Sequence, residues 1–216
     1  MRSSVSGPVA RYAGPRQEQV RPPGLRPPAE AGPVRRYWVI RLVFAAIWGI
    51  DATLKWLPGF RDSYLQMIQA SGQGQPSWLA PFFHFWAAVV QPAPVLFAVL
   101  TAVAETAICL SLLLGVFQRA GFAFGGVLGL AIWAVGEGFG GPYGSGSTDI
   151  GCAIMYTVLF AALLLAVPRA TRAAAPALDN RLVRRWPRLA PLTFVRPAAG
   201  ARPLAAGPPP ATSARG

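Results

Sequence analysis

Residues that commonly carry enzyme chemistry are scarce in this chain of 216 residues: it has one histidine, two cysteines and eight Asp and Glu. His84 stands in "PFFHFW" without a Cys or acid at ligand spacing, so no metal is expected and the ring reads as an interfacial residue. No Ser-His-Asp set, CxxC, CxxCH or Walker loop is present, which leaves hydrolysis, covalently held haem and iron–sulfur chemistry unsupported. Cys109 and Cys152 fall at depths too different for a disulfide in the topology argued below, and read as two small buried residues.

What is abundant is apolar residues and arginine. Hydrophobic residues make up 53% of the chain, yet it carries 20 Lys and Arg. The two features are segregated: residues 1–36 hold seven Arg and seven Pro, and residues 168–216 hold nine of each. Between them lie apolar runs of the roughly 20 residues that span a bilayer core of about 30 Å. A net charge of +12 would suit nucleic acid, but the basic residues flank membrane runs and have few stacking aromatics, so the positive-inside rule accounts for them and no nucleic-acid partner is expected.

Four spans are predicted: residues 37–57, "YWVIRLVFAAIWGIDATLKWL"; residues 94–116; residues 122–139; and residues 150–167. Pro58 and Gly59 stop the first, and a short turn, "FQRAG", separates the second from the third. Arg41 lies near enough to the inner end of the first span to snorkel. Residues 60–75 read as a short amphipathic helix and turn, and residues 76–91 are apolar but too short to cross, an outer interfacial segment. Arg119 falls in the same compartment as both Arg-rich tails, and the two outward segments contain only Arg61. The expected fold is therefore an all-α integral membrane four-helix bundle, residues 37–168, with both termini cytoplasmic. Residues 1–36 are expected to be a disordered basic arm that is not cleaved as a signal, and residues 169–216 an Arg/Pro-rich tail that flanks the last span or rests on anionic headgroups.

The acids fall where acids are expensive. Asp51 and Lys55 share a face in the first span, Glu105 sits near the middle of the second, Glu137 ends the third and Asp149 starts the fourth. Asp51, Lys55 and Glu105 are the candidate catalytic group: a desolvated Glu105 can take up a proton when a quinone or quinol changes oxidation state, with Lys55 offsetting the negative charge. The structural alternative is a permanently protonated Glu105 bonded to a neighbouring helix, with Asp51 and Lys55 as a local pair. Asp149, in "GSTD", reads first as a helix cap. Arg41, Trp48, Trp56 and Glu137 are candidate cofactor-binding residues; the tryptophans, with Trp133, are ring-stacking candidates or interfacial anchors.

"GEGFGG", with Gly136, Gly138 and Gly141, fits G-x-G-x-x-G, but it follows a membrane helix rather than a strand and the next helix starts only at about Thr148. It reads as an outer hairpin that lines or gates the polar site, with no nucleotide.

"GIDATLKW" after Arg41, "AETAICLSLLLGVFQR" in the second span, and the total of four spans resemble the DoxX/DoxD family of small bacterial membrane proteins. The resemblance covers residues 37–168, and the outer segment and glycine hairpin are closer to the DoxD-like thiosulfate:quinone oxidoreductase membrane subunit. It implies a plasma-membrane subunit associated with quinone-linked redox chemistry, with a separate partner polypeptide and a sulfur compound as a candidate electron donor. Arg41, Lys55, Glu105 and Arg119 match its pattern. The competing functions are a non-catalytic scaffold for a partner oxidoreductase and, last, a small-solute carrier.

Overall fold

The computed structural model describes residues 31–196 apart from 146 and 148, and every regular element among them is helical. The arm before residue 31 and the chain after residue 196 lie outside the described residues. Three helices are long and apolar enough to cross a membrane: α1 (Ala31–Leu54), α4 (Pro94–Leu114), and α5 (Gln118–Ala131) with its continuation to Gly136. The fourth expected span is α6 (Cys152–Leu165), apolar but only 14 residues long. At about 1.5 Å per residue that is about 21 Å of helix.

The element boundaries differ from the expected ones for local reasons. Helix α1 starts at Ala31, inside the segment expected to be a disordered arm, and stops at Leu54. It stops there because Pro58 opens α2 (Pro58–Ser71), and the residue before a proline is driven out of the helical region; Leu57 is extended, with φ −68° and ψ 144°. Pro94 opens α4 in the same way. That helix ends at Gly115, whose left-handed φ of 64° is the usual C-terminal signal. Helix α5 then begins at Gln118, earlier than expected. Between α2 and α4, α3 (Ala80–Val90) packs on α2, and α2 in turn packs on α4.

Helices α1, α4, α5 and α6 lie side by side, α1 on α4, α4 on α5 and α5 on α6. Small residues set the approach: a Cβ added at Gly125 or Gly129 of α5 would collide with Phe160 or Thr157 of α6. The common core is aromatic. Trp48 meets Tyr156 and Phe160 with ring centroids 5.3 and 5.1 Å apart, and Phe44 stands 4.7 Å from Phe160. The outward faces remain apolar, with Ile50, Val127 and Leu165 all well exposed.

The segment expected to be a tail folds back onto the helix ends. Helices α7 (Arg169–Ala174) and α8 (Asp179–Arg185) are followed by a 3-10 stretch to Leu192, and Arg172 and Asp179 are buried. Arg172 Nη1 donates to the carbonyls of Leu163 and Leu164, satisfying the end of α6, while its guanidinium lies 3.8 Å from the centre of the Phe194 ring. The Asp179 carboxylate accepts from the amides of Phe117 and Gln118 at 2.6 and 3.1 Å, which caps α5 and explains its early start.

Candidate functional site

Position 105 on α4 belongs to a stripe with Ala98, Ala102, Ile108 and Leu112, spaced three or four residues apart and all buried. This stripe lies on α1, whose matching face carries Ala45, Trp48 and Ala52. Glu105 is thereby carried into the helix contact, 0% exposed. Lys55, the chain's only lysine, leaves the end of α1 on the same side. Its Nζ is 3.0 Å from Asp51 Oδ1 and 3.5 Å from Glu105 Oε1, so one ammonium bridges two carboxylates from two helices. Among the described residues neither carboxylate oxygen of Glu105 accepts a hydrogen bond. Among those residues its compensation is the ion pair with Lys55, which is an expensive arrangement for a buried charge.

Lys55 also reaches a cavity of about 150 Å³ between α2, α3, α4 and the end of α5. Phe60, Tyr64, Trp86 and Phe97 supply aromatic wall, and the Tyr64 and Thr101 hydroxyls are hydrogen-bonded 3.1 Å apart at its edge. Lys55 Nζ lies 5.4 Å from the Phe60 ring centre. Along the α5 side the wall is Ile132, Val135 and Gly136, residues of a single π-helical turn in which the Glu137 amide bonds back to Ile132 O at 3.0 Å. Such wide turns are frequent where a helix must reshape itself beside a site. The cavity is smaller than the roughly 300–1,000 Å³ that encloses a drug-sized ligand, so it suits one ring whose substituents leave through the opening.

The structure brings Asp51, Lys55 and Glu105 together and leaves the other candidates elsewhere. Arg41 stands ten residues from Asp51 along α1, about 15 Å. It does not snorkel: it is buried, donating to Gln118 Oε1 at 3.1 Å and Pro176 O at 2.8 Å, with Tyr37 bonded to the same Gln118 oxygen. Trp48 is fully buried in the aromatic core and donates to the backbone carbonyl of Glu105 at 3.1 Å, so it positions α4 and presents no face to the cavity. Trp56, half-exposed, donates to Thr106. Arg119 lies at the α5 start, and Trp133 donates to Ile150 O at 2.7 Å.

Glu137 takes over the part expected of Asp149. Its carboxylate accepts from the Ala153 amide in the first turn of α6, while Asp149 accepts from Gly151, which itself sits at a φ of 93°. The glycine hairpin packs inward through Phe139, whose ring stands 5.3 Å from both Phe82 and Trp133, and Gln75 Nε2 donates to Gly138 O at 2.7 Å. Gly146 and Thr148 of this hairpin lie outside the described residues. Cys109 is half-buried and donates to Ala45 O at 3.5 Å; Cys152, expected to be buried, is exposed, because α6 starts only there. Among the described residues no group of three or more His, Cys, Asp or Glu could hold a metal.

Sequence reasoning missed Tyr64, Thr101 and the aromatic wall. The signal was the spacing of Phe60, Tyr64, Met67 and Ile68, one face of α2, which now lines the cavity. It also missed Asp179 and Arg172. Comparison with protein-family models, curated proteins and solved structures gave no match for this chain.

Proposed function

We propose that this chain is a four-span protein of the bacterial plasma membrane, with both termini cytoplasmic, that serves as the membrane subunit of a quinone-linked redox complex. The observation that carries the reading is Lys55, which joins a carboxylate buried between two membrane helices to an aromatic cavity. An intramembrane acid with so little compensation is a functional group by default. The exposed apolar faces and the segregation of arginine support the membrane placement.

The cavity residues fit a quinone ring. Phe60, Trp86 and Phe97 offer apolar and aromatic contact, Lys55 Nζ a cationic donor, and the Tyr64–Thr101 pair a second polar contact. A quinone, when bound, supplies two-electron, two-proton redox chemistry. The chain holds the ring, anchors the Lys55 ammonium through Asp51, and keeps Glu105 within reach of the same ammonium as a proton store. Electrons come from a partner polypeptide acting on a thiosulfate-like sulfur compound, as the DoxD-like resemblance suggests.

The test is quinone reduction by thiosulfate or sulfite in membranes containing the chain with its native partners, comparing the wild type with Glu105→Gln and Lys55→Met. Both variants are expected to lose most turnover. Unchanged turnover in both sinks the site. Absence of quinone activity with every co-purified partner favours a scaffold, a reading that the second, 560 Å³ cleft supports: it carries exposed Trp78 and Tyr143 near Gln75 and Phe139, a surface suited to a partner protein.

A further inference from the structure

At the opposite end from Lys55, the folded-back C-terminal segment encloses a cleft of about 630 Å³ against the start of α5. Three arginines from three separate places line it: Arg119 of α5, Arg169 at the first residue of α7, and Arg196 after the 3-10 stretch. Among the described residues no acid lines the cleft, and none of the three arginines forms an ion pair with a carboxylate. The nearest buried acid, Asp179, has both oxygens engaged by Phe117 and Gln118. All three are exposed, so water and salt screen their mutual repulsion, and together they give the opening a positive potential that attracts an anion.

The cleft is held open by contacts that do not consume its charge. Phe194 lies on the Arg172 guanidinium, fixing the strand of chain that leads to Arg196, and Arg119 reaches Pro191 O only at 3.4 Å. Planar guanidinium groups converging from separate elements suit the several oxygens of a phosphate group. Beyond the cleft α5 and α6 carry exposed apolar residues, Phe124 five residues after Arg119 and Leu165 four residues before Arg169. An anion held there has acyl-chain surface beside it.

We propose that this cleft binds a phosphate-bearing anion, with the headgroup of an anionic phospholipid as the source. The lipid source rests on the membrane placement above; the binding of phosphate does not, and neither needs quinone or partner. The full chain, purified in detergent, is titrated with phosphatidylglycerol, phosphatidylcholine or inorganic phosphate, and bound molecules are counted by native mass spectrometry. One phosphatidylglycerol per chain is expected to be retained in preference to phosphatidylcholine. The triple variant Arg119→Gln/Arg169→Gln/Arg196→Gln weakens that binding by about a hundredfold. A charge-matched control, Arg181→Gln/Arg184→Gln/Arg185→Gln on α8, leaves it unchanged. Inorganic phosphate that binds as tightly as the lipid, and is lost in the same triple variant, identifies a free anion as the source and keeps the site. Equal loss in cleft and control variants, or no binding of either probe, overturns the proposal.

Discussion

Removing Lys55 is the perturbation that most directly tests how Glu105 is tolerated. At 3.5 Å and an effective dielectric of about 20, the Lys55–Glu105 attraction is about 5 kcal/mol before desolvation is subtracted. Desolvation takes back much of that, but breaking such a pair from one side strands the other charge, which costs about 3–5 kcal/mol. The two sides are unequal here. In Lys55→Met the Glu105 carboxylate loses its ion pair, and among the described residues its oxygens accept no hydrogen bond. In Glu105→Gln the ammonium keeps Asp51 at 3.0 Å, with partial exposure to water, so the cost is on the order of 1 kcal/mol. The double variant removes the stranded charge and recovers on the order of 2 kcal/mol relative to the sum of the singles. Unfolding in detergent, followed by the fluorescence of Trp48 and the other tryptophans, reads this directly. For a chain of this size about 3–5 kcal/mol corresponds to a fall in Tm of roughly 6–20 °C for Lys55→Met. A Lys55→Met variant no less stable than Glu105→Gln, or strict additivity in the double variant, refutes the reasoning.

Asp179→Ala is expected to cost about 1–2 kcal/mol by uncapping α5, and to speed trypsin cleavage at Arg181, which is exposed but held in helix α8 in the wild type. Burial pushes the Asp179 carboxyl above its ordinary 3.8, against the hydrogen bonds from Gln118 and Phe117 that pull it down. With the folded value the higher one, its contribution is full below 3.8 and is lost as pH rises through that raised value. Hydrogen exchange at the start of α5 should therefore slow as pH is lowered from neutral, after correction for intrinsic exchange; faster corrected exchange on acidification contradicts the assignment. Gly115→Ala places a Cβ 2.7 Å from both Ala177 Cβ and Arg41 Nη1 at a φ of 64°. That adds roughly 1–3 kcal/mol of backbone strain to packing strain of similar size, so a thermal melt matching the wild type would be incompatible with the docked C-terminal segment. For orientation, Cys152 is exposed at the Lys55 end, so with Cys109 replaced by Ala a membrane-impermeant maleimide should label intact spheroplasts. Labelling only after lysis reverses the assigned topology.

The three helices long and apolar enough to cross a membrane were legible because their signal is one-dimensional: an apolar run of sufficient length needs no partner to be recognised, whereas the fourth expected span is a helix of only 14 residues. The same holds for the convergence of Asp51, Lys55 and Glu105, since acids and a lysine inside apolar runs must face one another or a cavity. What the chain concealed is what depends on two ends meeting. Asp179 looks like one more polar residue in an arginine-rich tail until α8 is laid against Gln118, where it becomes the cap that α5 lacks in its own sequence. Arg172 likewise has no periodic signature; its place is decided by the unpaired carbonyls at the end of α6. Asp149 shows the converse error: a cap motif next to a helix was outcompeted by Glu137, which is distant along the chain and near in space. Helix termini expose four unsatisfied donors or acceptors each, and whichever polar side chain the fold delivers will be used. The arginine cleft follows from the same logic. Once Asp179 and Arg172 have docked the C-terminal segment, Arg119, Arg169 and Arg196 are brought to one opening, and apart from a long bond from Arg119 to Pro191 O their charge is left available to an anion.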